Sequence, residues 1–214
     1  MVTRIEMQQI NRDDACYPPM LTDRMGAQTP TPLTAIGSPE ILRHRRLGLI
    51  CSVRCPGSIV IKTFDAIREL RDAGIVVAGG FHSPMEKECL DFLLRGEQPV
   101  IVCPAKGLAC PRVPRVWRAA IDAGRLLVLS PFDPAVTRTT GAQAQARNEF
   151  IAALSYAVLI PHASPGGKAE AIAQHILVQS QPLFTFPEDE NAGLLKLGAQ
   201  PYQIDWVQRC LLGH

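Results

Sequence analysis

Four short stretches of this 214-residue chain carry residues able to hold an anion. Cys51-Ser52-Val53-Arg54-Cys55-Pro56-Gly57-Ser58 follows an apolar run, and a guanidinium at Arg54 can clamp a phosphate through two parallel N–H bonds. Gly79-Gly80-Phe81-His82-Ser83 follows a second run. Its glycines admit a close approach of backbone to ligand, and His82 and Ser83 can donate to an anion. Pro104-Ala105-Lys106-Gly107 places Lys106 after a third run. Pro165-Gly166-Gly167-Lys168 has the make-up of a backbone anion nest leading into a helix. Each stretch has a plain structural alternative: Arg54 can reach solvent, Ser83 can cap a helix, and paired glycines suit any tight strand-to-helix turn.

Chemistry beyond binding has little to work with. Near these stretches the carboxylates are Glu86, Glu149 and Glu170, few for acid–base work, and no GxSxG nucleophile elbow occurs. No GxGxxG dinucleotide fingerprint is present either. Seven cysteines lie at 16, 51, 55, 89, 103, 110 and 210, without a CxxC and without a histidine near Cys51 and Cys55. Several sit in apolar runs, the pattern of buried reduced thiols. The expectation is no catalytic residue, no metal and no cofactor.

The elements that must position these residues alternate regularly. Strand-like runs cover 47–52, 74–79, 99–103, 125–130, 156–161 and 182–186, with helical patterns between them. The segment 59–74 puts Ile59, Ile67, Leu70 and Ala73 near one face, and 83–96 opens with Ser83, Pro84 and Glu86 as a capping box. Further helical patterns span 113–124, 141–155 and 167–179. Such repeated βαβ units predict a doubly wound, Rossmann-like α/β fold, with a mostly parallel sheet and helices on both faces. Residues 1–46 read as an irregular N-terminal arm ending in a short helix, and 47–214 as the Rossmann-like domain. In such sheets ligands sit beyond the carboxyl ends of the strands, so all four stretches fall on one edge.

The formal net charge is only +2, low for a dedicated nucleic-acid binder. Between Lys106 and Arg147, however, seven cations (Lys106, Arg112, Arg115, Arg118, Arg125, Arg138, Arg147) face two anions, and Arg43-His44-Arg45-Arg46 forms a second basic cluster. No run of 18 apolar residues and no signal-peptide centre occurs, so the expectation is a soluble, cytoplasmic protein without a membrane partner.

From Tyr17 to Val207 the order of motifs resembles the DNA-processing protein A (DprA) family. "ARNEFIAALS" reproduces the family's Arg-Asn-x-x-Ile-Ala-x-Leu-Ser motif at Arg147, Asn148, Ile151, Ala152, Leu154 and Ser155. "LGLICSVR" stands at the family's Val-Gly-Ser-Arg turn, with Arg54 on its arginine, Ser52 in place of glycine and Val53 in place of serine. In the next turn Gly79 matches, while His82 and Ser83 stand at an arginine and a glycine; "ENAGLLKLGAQPY" resembles the closing element. The resemblance implies a non-catalytic, homodimeric mediator that binds single-stranded DNA in its Rossmann domain and loads a RecA-type recombinase. The divergent turns point to a DprA-like subfamily rather than the transformation protein itself.

Arg147 and Asn148 then belong with the site: Arg147 to hold a phosphate or pair with a carboxylate such as Glu170, Asn148 to bond loop backbone or ligand. Alternatively the pair only ties its helix to neighbouring loops. The site residues expected to contact phosphate or nucleic acid are Ser52, Arg54, Gly79, Gly80, His82, Ser83, Lys106, Arg147, Asn148, Gly166, Gly167 and Lys168. A sensor or carrier of a small nucleotide is the alternative. The related Lonely Guy phosphoribohydrolases are a third reading, but Ala173 stands where their glutamate is found.

Overall fold

The computed structural model describes residues 6–108 and 113–212; Cys110 and Arg112 lie outside the described residues. In chain order the elements are β1 (Met7–Ile10), α1 (Met20–Met25), β2 (Leu33–Gly37), β3 (Arg46–Leu49) and α2 (Gly57–Asp72). Then come β4 (Val76–Gly79), α3 (Pro84–Leu94), β5 (Val100–Val102), α4 (Arg115–Asp122) and β6 (Leu126–Ser130). The chain closes with α5 (Gly141–Leu154), β7 (Ala157–Leu159), α6 (Lys168–Val178), β8 (Leu183–Thr185), α7 (Ala192–Leu197), β9 (Gln200–Pro201) and α8 (Ile204–Leu212). Short 3-10 turns lie at Gly26–Gln28, Pro39–Arg43 and Asp189–Asn191.

All six predicted strands and the helices between them are present. The strands β3 to β8 are buried along their whole length, as their unbroken apolar runs require of a sheet covered on both faces. One face packs on α1, α5 and α6 through Leu21, Phe150, Ile151, Leu154, Ile172 and Ile176. The other packs on α2, α3 and α8 through Ile67, Leu70, Cys89, Leu90, Leu93 and Val207. The nine strands run in the order β1-β2-β6-β5-β4-β3-β7-β8-β9. From β3 to β9 every pairing with a sheet neighbour in the core is parallel, and only β1–β2 and β2–β6 are antiparallel.

This order fixes where a ligand can enter. The chain winds outward from β3 through β4 and β5 to β6, then crosses back to β7 and winds the other way. The helices following β3 and β7 therefore leave toward different sides, and a crevice opens at the carboxyl ends of these two strands.

Two expectations are corrected. The lead-in is more than an irregular arm: β1 and β2 extend the sheet beyond β6, with Ala35 opposite Leu129. The prolines of Thr29-Pro30-Thr31-Pro32 argue against a helix but end just before Leu33, where the strand begins, which is why the pattern concealed β2. The second correction concerns Arg46, counted with a basic surface cluster. It is 1% exposed, and its guanidinium donates to the carbonyls of Leu154 at 2.6 Å, Leu42 at 2.6 Å and His44 at 2.8 Å. Burial lowers its pKa to about 10. Arg46 thus ties the lead-in to the C-terminal end of α5, where carbonyls lack helical partners.

Candidate functional site

A cavity of about 380 Å³ occupies the predicted crevice. The loop after β3 lines it with Cys51, Ser52, Val53 and Arg54, and the loop after β4 with His82 and Ser83. The loop after β7 adds Ser164 and Gly167, the first turn of α6 adds Lys168 and Ala169, and α5 presents Gln145, Arg147 and Asn148. Eight of the twelve expected site residues thus meet here: Ser52, Arg54, His82, Ser83, Arg147, Asn148, Gly167 and Lys168. Three cations, Arg54, Arg147 and Lys168, share the cavity with one carboxylate, Glu86.

Arg147 is the most constrained of them. It lies midway along α5 and is 6% exposed, yet the one side-chain hydrogen bond it makes among the described residues, to the Cys103 carbonyl, is long at 3.4 Å. Its Nε has no partner among the described residues. Burial lowers its pKa, and the nearby Glu86 carboxylate only partly opposes this. A buried guanidinium with spare donors is costly unless an acceptor completes it. Gly80 makes the arrangement possible, because the atoms nearest a Cβ built there are Nη1, Cζ and Nε of Arg147.

The loops around Arg147 are held by their own hydrogen bonds. Ser83 caps α3 by accepting from the Glu86 amide at 3.2 Å, and Glu86 accepts from the amides of Ser83 at 3.0 Å and His82 at 3.3 Å. The Glu86 carboxylate is thereby committed to its loop. Ser52 bridges two loops: its hydroxyl accepts from the Ser164 amide at 3.0 Å, and its amide donates to the His162 carbonyl at 3.1 Å. Beneath them, His162 Nδ1 lies 3.1 Å from Asn191 Oδ1, and Asn191 donates to the Pro161 carbonyl at 2.8 Å. Arg54 is exposed and has no hydrogen bond or ion pair among the described residues.

The turn at Pro165-Gly166-Gly167-Lys168 works differently from the expected open nest. Gly166 has φ of 67°, the left-handed region that favours glycine, but its amide donates to Glu170 Oε2 at 2.7 Å. The Gly167 amide donates to the Ser164 carbonyl at 2.9 Å. What remains for a ligand is the first turn of α6, which has no side-chain cap at Gly167, together with the exposed Lys168 ammonium. The Lys168 Nζ donates to the Gly141 carbonyl at 3.0 Å, at the mouth of the cavity.

Other expected residues stand elsewhere. Gly79 is explained by packing, since a Cβ there would meet the Phe81 ring at 2.8 Å. Phe81 itself is buried with φ of 47°, folded under Gly79 rather than offered to a ligand. Lys106 is exposed but does not line the cavity; its carbonyl accepts from Ser130 Oγ at 2.8 Å. Glu170, named as a partner for Arg147, is occupied by Gly166, and the carboxylate acting on Arg147 is Glu86. Gln145 and Ser164 in the lining, and His162 beneath it, were not anticipated. The run Ile160-Pro161-His162-Ala163-Ser164 directly after a strand was the available signal.

Cys51 also shapes the loop that carries Arg54. Its thiol donates toward the His162 carbonyl at 3.7 Å, and its contact with Cys55 raises its own pKa, with burial adding to the effect. The same contact lowers the pKa of Cys55. Burial pushes Cys89 and Cys103 up to about 12. Among the described residues no three His, Cys, Asp or Glu side chains gather as a metal site would require.

A mostly parallel Rossmann-like sheet with a crevice at its switch point defines the fold class. Within that class, the chain belongs to the DNA recombination-mediator protein A family, which it matches over residues 8–201. It is similar to DNA processing protein A from Helicobacter pylori, whose single-stranded DNA binding mode has been described structurally. The two share 22% identity and a TM-score of 0.75, covering 100% of this chain and 99% of that one. DprA from Streptococcus pneumoniae shares 18% identity and a TM-score of 0.73, covering 94% of this chain and 71% of that one. The molybdenum cofactor carrier protein of Chlamydomonas reinhardtii is a more distant neighbour in fold, at 13% identity and a TM-score of 0.52, covering 80% of this chain and 100% of that one. No curated protein matches the chain.

Proposed function

We propose that this protein binds single-stranded DNA by its backbone phosphates in the cavity between the loops after β3, β4 and β7. The observation that carries this reading is Arg147: buried, with an unpartnered Nε, in a cavity where cations outnumber carboxylates. A phosphate oxygen supplies the missing acceptor, and Arg54 and Lys168 close around it from the rim. Family membership and the likeness to the Helicobacter pylori protein support a nucleic-acid ligand. The role is binding rather than cleavage. Glu86, the one carboxylate lining the cavity, already accepts two amide protons, and Ala173 is a fully buried core residue.

Family membership also supports a homodimer that delivers its strand to a RecA-type recombinase in the cytoplasm. Among the described residues no helix is long and apolar enough to cross a membrane. A second reading, a carrier of a small nucleotide, draws on one observation: among the described residues no Phe, Tyr or Trp lines the cavity to stack a run of bases. Fluorescence anisotropy with a labelled oligothymidylate separates the two. The DNA reading expects saturable binding that an unlabelled strand displaces and a mononucleotide does not. Displacement by stoichiometric mononucleotide would overturn it in favour of the carrier.

A further inference from the structure

We propose that an apolar shelf beside the cavity receives a nucleobase of the same nucleotide whose phosphate Arg147 holds, an inference that rests on the reading above. A second concavity, also of about 380 Å³, lies between the loop after β3 and the first turns of α2 and α3. Val60, Phe64, Pro84 and Met85 line it, and Val53 lines both it and the cationic cavity. The two are therefore neighbouring compartments meeting at one side chain.

Their chemistry is complementary to the two ends of a nucleotide. The cavity gathers Arg54, Arg147 and Lys168, whereas the shelf has no cation and carries Glu88 at its edge. A phosphate is thus drawn to one side and repelled from the other, while an uncharged heterocycle suits the shelf. Val53 is 79% exposed beside the cationic site, an apolar group left in water that a flat ring would cover. Among the described residues no Phe, Tyr or Trp lines the cavity itself, so the shelf supplies the broad apolar contact that a base there lacks. Phe64 is already packed edge-on against Phe92, with ring centroids 5.4 Å apart, so the shelf is an aliphatic surface on a rigid floor.

The experiment compares an oligothymidylate with a strand of equal length containing only abasic sites, by anisotropy at fixed salt. In the native protein the abasic strand should bind about five- to tenfold more weakly, the low end of what one covered base contributes. Val60→Ser combined with Met85→Ser, both outside the cationic cavity, should erase that difference while leaving abasic affinity unchanged. Ile61→Ser, an exposed apolar residue of α2 outside the shelf, should preserve the difference. Circular dichroism checks that each variant is folded. Equal affinity of the two native complexes, both weakened by Arg54→Ala, would overturn the shelf and leave the phosphate site standing. A difference that survives the double substitution would place the base elsewhere and also overturn it. Failure of either strand to bind would overturn the phosphate reading and the shelf together.

Discussion

Replacing Gly80 with alanine moves a charge without removing it. The three atoms nearest the added Cβ all belong to the Arg147 guanidinium, and the first overlaps it outright. Gly80 lies outside the left-handed region, so alanine is compatible with its backbone, and the strain falls on a flexible side-chain end. Arg147 loses only its 3.4 Å bond to the Cys103 carbonyl when displaced, so stability should change by no more than about 1 kcal/mol. Binding should suffer more. A charge-assisted hydrogen bond contributes roughly 1.5–3 kcal/mol, so the Kd for oligothymidylate should rise about ten- to 150-fold. Arg147→Ala should give a loss of the same size, and combining the two should add little, because both remove one contact. Anisotropy titrations at constant salt, with thermal melts alongside, measure every corner of this cycle. Native affinity in a folded Gly80→Ala protein, or losses that add in full, would refute the placement of Arg147 in the site.

Arg54→Ala should weaken DNA binding by about 1.5–3 kcal/mol with no change in melting temperature, whereas Lys106→Ala should leave affinity unchanged, both read by the same titration. Among the cysteines of the described residues, thiol labelling should modify Cys55 faster than Cys51 and leave Cys89 and Cys103 largely untouched in the native protein, as mass spectrometry of timed digests would show. The folded pKa values of Cys89 and Cys103 are raised from 9.0 to about 12, so their stabilising contribution is complete below pH 9 and is lost as pH rises toward 12. Denaturant midpoints should therefore fall across that window, and less steeply in Cys103→Ala. Asn191→Ala should cost about 2–4 kcal/mol in chemical denaturation, since it leaves His162 and the buried Pro161 carbonyl without partners.

How far the residues announced this arrangement depends on how local the cause was. The six parallel strands and the capping box of Ser83 and Glu86 rest on contacts within a few residues, so alternation and spacing revealed them. The convergence of Arg54, His82 and Lys168 followed from the rule that ligands sit at strand carboxyl ends, which needs only the order of elements. The same rule also drew in Lys106, which does not line the cavity, and Arg147 came in through the family motif. Contacts between distant parts of the chain stayed hidden. Nothing local shows that Gly80 is small to admit Arg147, or that Phe81 turns inward beneath Gly79. Arg46 looked like a surface cation because its three carbonyl partners include Leu154, over a hundred positions away. The glycines after Pro165 looked like free donors because their acceptors, Glu170 and the Ser164 carbonyl, become partners only once the turn has closed.

The salt dependence of oligothymidylate binding tests the cationic cavity most directly. Each phosphate contact to a single strand contributes a slope of about −0.7 to log K against log salt. Arg54→Ala/Lys168→Ala removes two rim cations whose loss leaves the loop hydrogen bonds of Ser52, Ser83 and Glu86 intact. The account predicts weaker binding and a slope shallower by about 1.4 than that of the native protein. Native affinity with a native slope, in a variant of unchanged melting temperature, would contradict it.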